Sequence, residues 1–144
     1  MLRLDDEPGP ARLTTSGADA VSDAAQRALV AASASAAKQG HDIVVLDVGP
    51  IIAIIETFVL VSATNTRQVR TIVDEVEAAL KAHDGSQPLG IEGRDDATWV
   101  LLDYGDVVVH VFLAETREFY DLDRLWADAR RVPFEERDAL AAEG

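Results

Sequence analysis

The chain has no cysteine among its 144 residues, which excludes disulfides, thiolate metal sites and cysteine nucleophiles. That suits a reducing compartment. Basic residues are scarce: 13 Lys and Arg against 26 Asp and Glu leave a formal net charge of -13. A nucleic-acid backbone is therefore excluded as the main partner, because phosphate contacts need clustered positive charge. The same charge favours a basic protein steered in by complementary potential. No apolar run reaches the roughly 20 residues that cross a bilayer, and Met1-Leu-Arg-Leu-Asp-Asp-Glu7 has no apolar stretch of the signal-peptide kind. The expectation is a cytoplasmic protein that makes no membrane contact. The nine glycines never fall at P-loop or dinucleotide-binding spacing. The three histidines, His41, His83 and His110, show no paired metal-ligand spacing, and no cofactor is expected.

What is present reads as one α/β (α+β) domain with a mixed central sheet of about five strands flanked by helices. Residues 1–16 carry Pro8, Gly9, Pro10 and a polar run, and read as a flexible N-terminal arm. The domain then covers residues 17–128, and residues 129–144 read as an acidic C-terminal tail. From Ala18 to about Lys38 the spacing of Val21, Ala25, Ala28, Leu29 and Ala32 predicts a helix with Ser16 or Asp19 as its cap. Its alanine-rich face is thin, as in a helix lying on a sheet. Ile43–Val48 and Thr57–Ser62 read as buried strands, with Ile51–Ile55 open between strand and connector. Thr64, Asn65 and Thr66 offer caps for a helix with Val69, Ile72, Val73, Val76 and Leu80 on one face. Pro88–Gly93 is an edge strand at best. Phe119, Tyr120, Leu122, Leu125 and Trp126 mark a short helix after a polar break at Ala114–Arg117.

The most informative stretch is Trp99-Val-Leu-Leu-Asp-Tyr-Gly-Asp-Val-Val-Val-His110, two strands and a tight turn. With Tyr104-Gly105 as the turn, Asp103 faces Asp106, Leu101 faces Val108 and Trp99 faces His110. Val100, Leu102, Val107, Val109 and Val111 then form a uniformly apolar face, which must be core. The other face mixes Trp, His and two Asp with aliphatics, the composition of a contact surface. Two readings compete for it. Either a helix covers Trp99 on a half-exposed strand pair, or the face is kept for a partner.

Several residues suggest chemistry. Asp103, Asp106 and His110 share a face and invite a metal or acid–base reading, although turn carboxylates are usually only solvated. Ser62 and Arg67 could be cast as nucleophile and anion binder, but a strand end followed by a helix cap explains both. Phe119 and Trp126 read as core aromatics. Tyr120 should point away from Phe119, its hydroxyl seeking water or a partner.

Taken together the segments resemble the ribosomal silencing factor (Iojap-like) family over roughly residues 24–128. The resemblance is carried by Trp99-Val-Leu-Leu-Asp-Tyr-Gly-Asp-Val-Val-Val-His-Val-Phe112 followed by Arg117-Glu-Phe-Tyr-Asp-Leu-Asp-Arg-Leu-Trp126. Asp42-Ile-Val-Val-Leu-Asp-Val48, Phe58-Val-Leu-Val-Ser62, Arg67-Gln-Val69 and Ile91-Glu-Gly93 add earlier blocks. It implies a nucleotidyltransferase-like sheet without catalytic apparatus, so a binding protein and not an enzyme. It also implies a translational repressor that binds the large ribosomal subunit through its universal ribosomal protein number fourteen and blocks joining of the small subunit. The partner-binding residues it implies are Trp99, Asp103, Tyr104, His110, Tyr120 and Leu122. The chain departs from the family at Ile55-Glu-Thr-Phe58, where Thr-Asp-Tyr-Phe is common, and at Ser62-Ala63, where Ser-Gly is common. Two other classes remain: a metal-dependent nucleotidyltransferase-like enzyme using Asp103 and Asp106, and a self-associating module whose aromatic face is buried in a homodimer.

Overall fold

A computed structural model describes residues 22–134 except Ala53. The proposed arm (1–16), the start of the first helix and the last ten residues of the proposed tail lie outside the described residues. Helix α1 (Asp23–Ala37) begins at Ser22, whose side chain accepts from the Ala25 amide, so the cap falls later than Ser16 or Asp19. Strand β1 (His41–Asp47) and strand β2 (Thr57–Ala63) form an antiparallel pair, with Ile51, Ile52, Ile54 and Ile55 in their connector. Helix α2 (Thr66–Asp84) is capped by Asn65, which accepts from the Gln68 amide, and ends at Gly85. Strands β3 (Gly90–Glu92), β4 (Trp99–Asp103) and β5 (Val107–Leu113) follow, then helices α3 (Ala114–Tyr120) and α4 (Leu122–Leu125). A last strand, β6 (Arg130–Val132), returns to the sheet.

The sheet order is β3-β4-β5-β2-β1-β6. Among the described strands only β5 and β2 run parallel; every other neighbouring pair is antiparallel. The parallel pair sits in the middle, where both faces are covered. This explains why β2 is buried throughout and reads as a continuous run without alternation. Among the described residues the sheet has six strands where about five were expected, because the chain does not leave the sheet at residue 128. β6 pairs antiparallel with β1, and Arg130 Nη2 meets Asp47 Oδ2 at 3.0 Å.

Both long helices pack on one face. Ala24, Ala28, Ala31 and Ala32 of α1 are fully or almost fully buried, and their small side chains let the helix backbone approach the strands. Val69, Ile72, Val73, Val76 and Leu80 of α2 fill the rest of this layer against Val45, Val59, Val61, Val100, Leu102, Val107, Val109 and Val111. Arg27 secures the arrangement, its guanidinium meeting Asp106 Oδ1 at 2.6 Å and Asp84 Oδ2 at 3.1 Å. No described helix is long and apolar enough to cross a membrane.

The other face has a thinner cover. Leu46, Val48, Phe58, Leu60, Val108 and Phe112 form a second cluster, roofed by Leu122, Trp126 and Ala129 from the short α4 region. Gly93 controls how β4 enters this layer. Its φ is +85°, and a Cβ there would collide with the carbonyl oxygen of Trp99. Gly93→Ala is expected to cost about 2–4 kcal/mol by combining left-handed strain with overpacking. A lower urea midpoint, with faster amide exchange in β3 and β4, checks this; an unchanged midpoint contradicts it.

Candidate docking face

The β4–β5 hairpin turns one step later than its sequence suggests. The Tyr104 amide donates to the Val107 carbonyl at 2.9 Å, so Gly105 and Asp106 are the central turn residues. Gly105 has φ +92°, at the first central position where II′ hairpins favour glycine. Trp99 therefore pairs with Phe112, Leu101 with His110 and Asp103 with Val108. Every expected partner has moved by two residues. A shift of two preserves sidedness where a shift of one would invert it, so Trp99, Leu101 and Asp103 still share a face with Val108 and His110.

That face is the thinly covered one. Trp99 lies half-buried with its ring centroid 5.5 Å from Phe112 and 5.3 Å from Tyr120. Its Nε1–H donates to His110 Nδ1 at 3.1 Å. His110 itself is buried, 7 % exposed, between Phe58 at 4.9 Å edge-on and Phe112 at 6.0 Å nearly parallel. Trp126 closes over Phe58, edge to face at 5.1 Å. Leu122 packs half-buried against the same cluster, and Tyr120 stays exposed at its rim. Asp103 is half-buried on this side, its Oδ1 accepting from the Gly105 amide at 2.8 Å.

Burial pushes the His110 imidazolium down to a pKa of about 4. Unfolding restores a value near 6.5, so below that pH the unfolded chain binds the extra proton and the fold loses stability. The loss starts as pH falls through 6.5 and saturates near 4. By pH 5.5 it should reach about 1.4 kcal/mol. Comparing urea unfolding at pH 7.5 and 5.5 for wild type and His110→Leu isolates it; equal pH dependence in both proteins contradicts it.

The structure separates two of the expected residues from an exposed contact surface. Tyr104 is on the opposite side of the sheet, buried in the α1–α2 layer, with Arg27 5.7 Å above its ring. Burial, with Glu77 nearby, raises its hydroxyl to about 12. His110 lies beneath the surface. Asp103, Asp106 and His110 do not converge, since Asp103 braces the turn, Asp106 pairs with Arg27 and His110 Nδ1 is taken by Trp99. Among the described residues no group of three or more His, Cys, Asp or Glu could hold a metal ion. Ser62 is likewise occupied: its Oγ accepts from Arg117 Nη1 at 3.0 Å, and Arg67 is not its partner.

Two features escape the sequence reading. The segment Ala114–Arg117 is helix and not a polar break, and Asp121, with φ +52°, ends α3 before α4 begins. This kink turns Phe119 outward to 80 % exposure, where a single continuous helix would have aimed it inward with Leu122 and Trp126. Leu125 is also exposed. Beside Trp99, a shallow cleft of about 330 Å³ is lined by Thr98, Glu115, Thr116, Phe119 and Tyr120. The second feature is Arg117, 6 % exposed, which anchors the α3–α4 corner. Its Nη1 donates to the Asp42 carbonyl at 2.6 Å, and its Nε and Nη2 donate to Asp123 Oδ1 at 3.3 and 3.0 Å. The Asp42 carbonyl is reached at a bulge in β1, where the register slips between His41 and Val44 and Asp42 has φ +50°.

Comparison with known proteins agrees with this architecture. A family model described as "Ribosomal silencing factor during starvation" matches residues 21–143. The ribosomal silencing factor RsfS of Bacillus subtilis is 39% identical over 100 residues, covering 69% of this chain and 84% of that protein. A mouse protein named mitochondrial assembly of ribosomal large subunit protein 1 is 36% identical over 91 residues, covering 62% of this chain and 40% of its own. A crystal structure from Chromobacterium violaceum superposes with a TM-score of 0.70 at 31% identity, covering 78% of this chain and 92% of that one. The Bacillus subtilis relative is named as a silencing factor and the mouse relative as an assembly protein. The chain belongs to the ribosomal silencing factor family.

Proposed function

We propose that the protein represses translation in the cytoplasm by binding the large ribosomal subunit, with universal ribosomal protein number fourteen as its seat, and by sterically blocking the small subunit from joining. The observation that carries the reading is the thinly covered sheet face. Trp99 and Tyr120 meet at its edge with their rings tilted, and Phe119, Leu122 and Leu125 extend it across the α3–α4 corner. A half-buried tryptophan among exposed apolar side chains is the composition of an interface hot spot. The chain's net charge of -13 supplies the field that draws in a basic ribosomal protein. Membership of a family named for ribosome silencing, and a mouse relative named for assembling the large subunit, support the choice of partner.

On this reading Trp99, Tyr120 and Leu122 meet the partner directly, and Asp103 lies on the same side of the sheet. Tyr104 contributes only by holding the hairpin on α1. The test is a subunit-joining experiment, with isolated subunits mixed in Mg²⁺ and resolved on a sucrose gradient. Adding the protein to large subunits first should reduce the joined peak and leave free subunits of both kinds. Undiminished joining at saturating protein would overturn the proposal.

A further inference from the structure

The polar edge of Trp99 is held from below by a residue that the partner cannot reach. Trp99 and His110 are diagonal neighbours across β4 and β5, and the indole N–H points to Nδ1 of the imidazole. With Nδ1 accepting, the ring proton must sit on Nε2. Nε2 is buried and has no hydrogen-bond partner among the described residues. Phe58 and Phe112 flank the ring, and the indole bond to Nδ1 selects the tautomer protonated on Nε2. An orphaned buried donor carries a desolvation penalty that an apolar side chain of similar size would avoid. The single polar use the structure makes of this costly residue is to hold the indole.

We infer that His110 is a positioning residue for docking: it fixes the plane of the Trp99 indole through the Nε1–H···Nδ1 hydrogen bond and does not itself touch the partner. The inference rests on the docking reading above, and deepens it. Preorganising a large aromatic side chain removes ordering loss at the moment of association, so the bond strengthens binding without adding a contact. Among the described residues no charged group hydrogen-bonds to the ring. β2 presents Phe58 and Leu60, and β4 presents Leu101 and Asp103, the latter tied to Gly105. From the α3–α4 corner come Tyr120, Arg117 and Asp123, the last two paired with each other. Burial alone keeps the imidazole neutral, and therefore an acceptor.

Two substitutions separate positioning from packing. His110→Asn places Oδ1 where Nδ1 stood and keeps the acceptor. His110→Leu fills the space and removes it. The first readout is the indole N–H resonance of Trp99 in ¹⁵N-labelled protein, told apart from the other tryptophan by Trp126→Phe. It should be shifted downfield and slow to exchange in wild type and His110→Asn, and should lose both properties in His110→Leu. The second readout is affinity for isolated large subunits. His110→Leu should weaken it about tenfold, the equivalent of one modest hydrogen bond, and His110→Asn by less than about threefold. Trp99→Phe, which keeps a ring without the donor, should show a similar loss, and adding His110→Leu to it should change little further. Trp99→Phe and His110→Asn, neither of which places leucine at position 110, keep the test valid if His110→Leu alone folds poorly.

Full affinity in His110→Leu despite a lost indole bond would overturn the inference. So would a loss in His110→Asn as large as in His110→Leu, because the imidazole would then be a contact in its own right. If wild type binds no large subunit, the docking reading fails, and the inference with it. A retained indole signal would identify that outcome as a failure of the partner and not of the hydrogen bond.

Discussion

Trp99→Glu is expected to reduce affinity for the large subunit at least a hundredfold while leaving the protein folded. Tryptophan hot spots typically contribute about 2–4 kcal/mol on truncation, and 2.7 kcal/mol is about a hundredfold. Glutamate goes further than truncation. It sets a carboxylate against Phe112 and Tyr120, strips His110 Nδ1 of its donor and adds negative charge to a face meant for a basic partner. The fold should survive, because the main core lies on the other side of the sheet, between the strands and α1 and α2. Near-ultraviolet circular dichroism and a cooperative urea transition verify folding, and co-sedimentation measures binding. A folded Trp99→Glu protein that binds as wild type would move the docking face elsewhere.

Arg117→Met should destabilise the second layer strongly, with a loss of about 3 kcal/mol and a urea midpoint lower by about 2 M. Methionine fills much of the volume but leaves the Asp42 carbonyl and Ser62 hydroxyl without their donor and frees Asp123. Partial exposure of Asp123 limits the penalty on the acidic side, and the Asp42 carbonyl is only part-buried, whereas the Ser62 hydroxyl lies inside. Because Arg117 ties α3 and α4 to the β1 bulge, its loss should also loosen Tyr120 over Trp99. Arg117→Lys keeps the charge without the planar fork and should fall between the two. Equal urea midpoints for wild type and Arg117→Met would contradict this account of the corner.

The parts of the fold legible in the sequence were those written in local pattern. The β-branched run of β2, the five apolar positions of α2 and its asparagine cap each state their structure within a few residues. The sorting of the hairpin residues onto two faces survived a mistaken turn because strand periodicity is two and the slip was two. The sequence could not reveal features decided by distant groups. Arg130–Val132 has no alternation to mark it as a strand; it becomes one by pairing with β1 and by the ion pair of Arg130 with Asp47. Phe119 looked like core because the spacing to Leu122 and Trp126 fits one helix, and a single left-handed residue, Asp121, breaks that helix. Arg117 reads as an ordinary surface charge until the bulge at Asp42 and the end of β2 are brought beside it. Likewise, Tyr104 is set opposite Asp103 by strand alternation, into the layer beneath Arg27 of α1, which the resemblance alone did not convey.

The most direct measurement is co-sedimentation of the purified protein with isolated large and small ribosomal subunits. The account predicts that the protein pellets with large subunits and stays in the supernatant with small ones. Recovery with neither subunit, or equally with both, would contradict it.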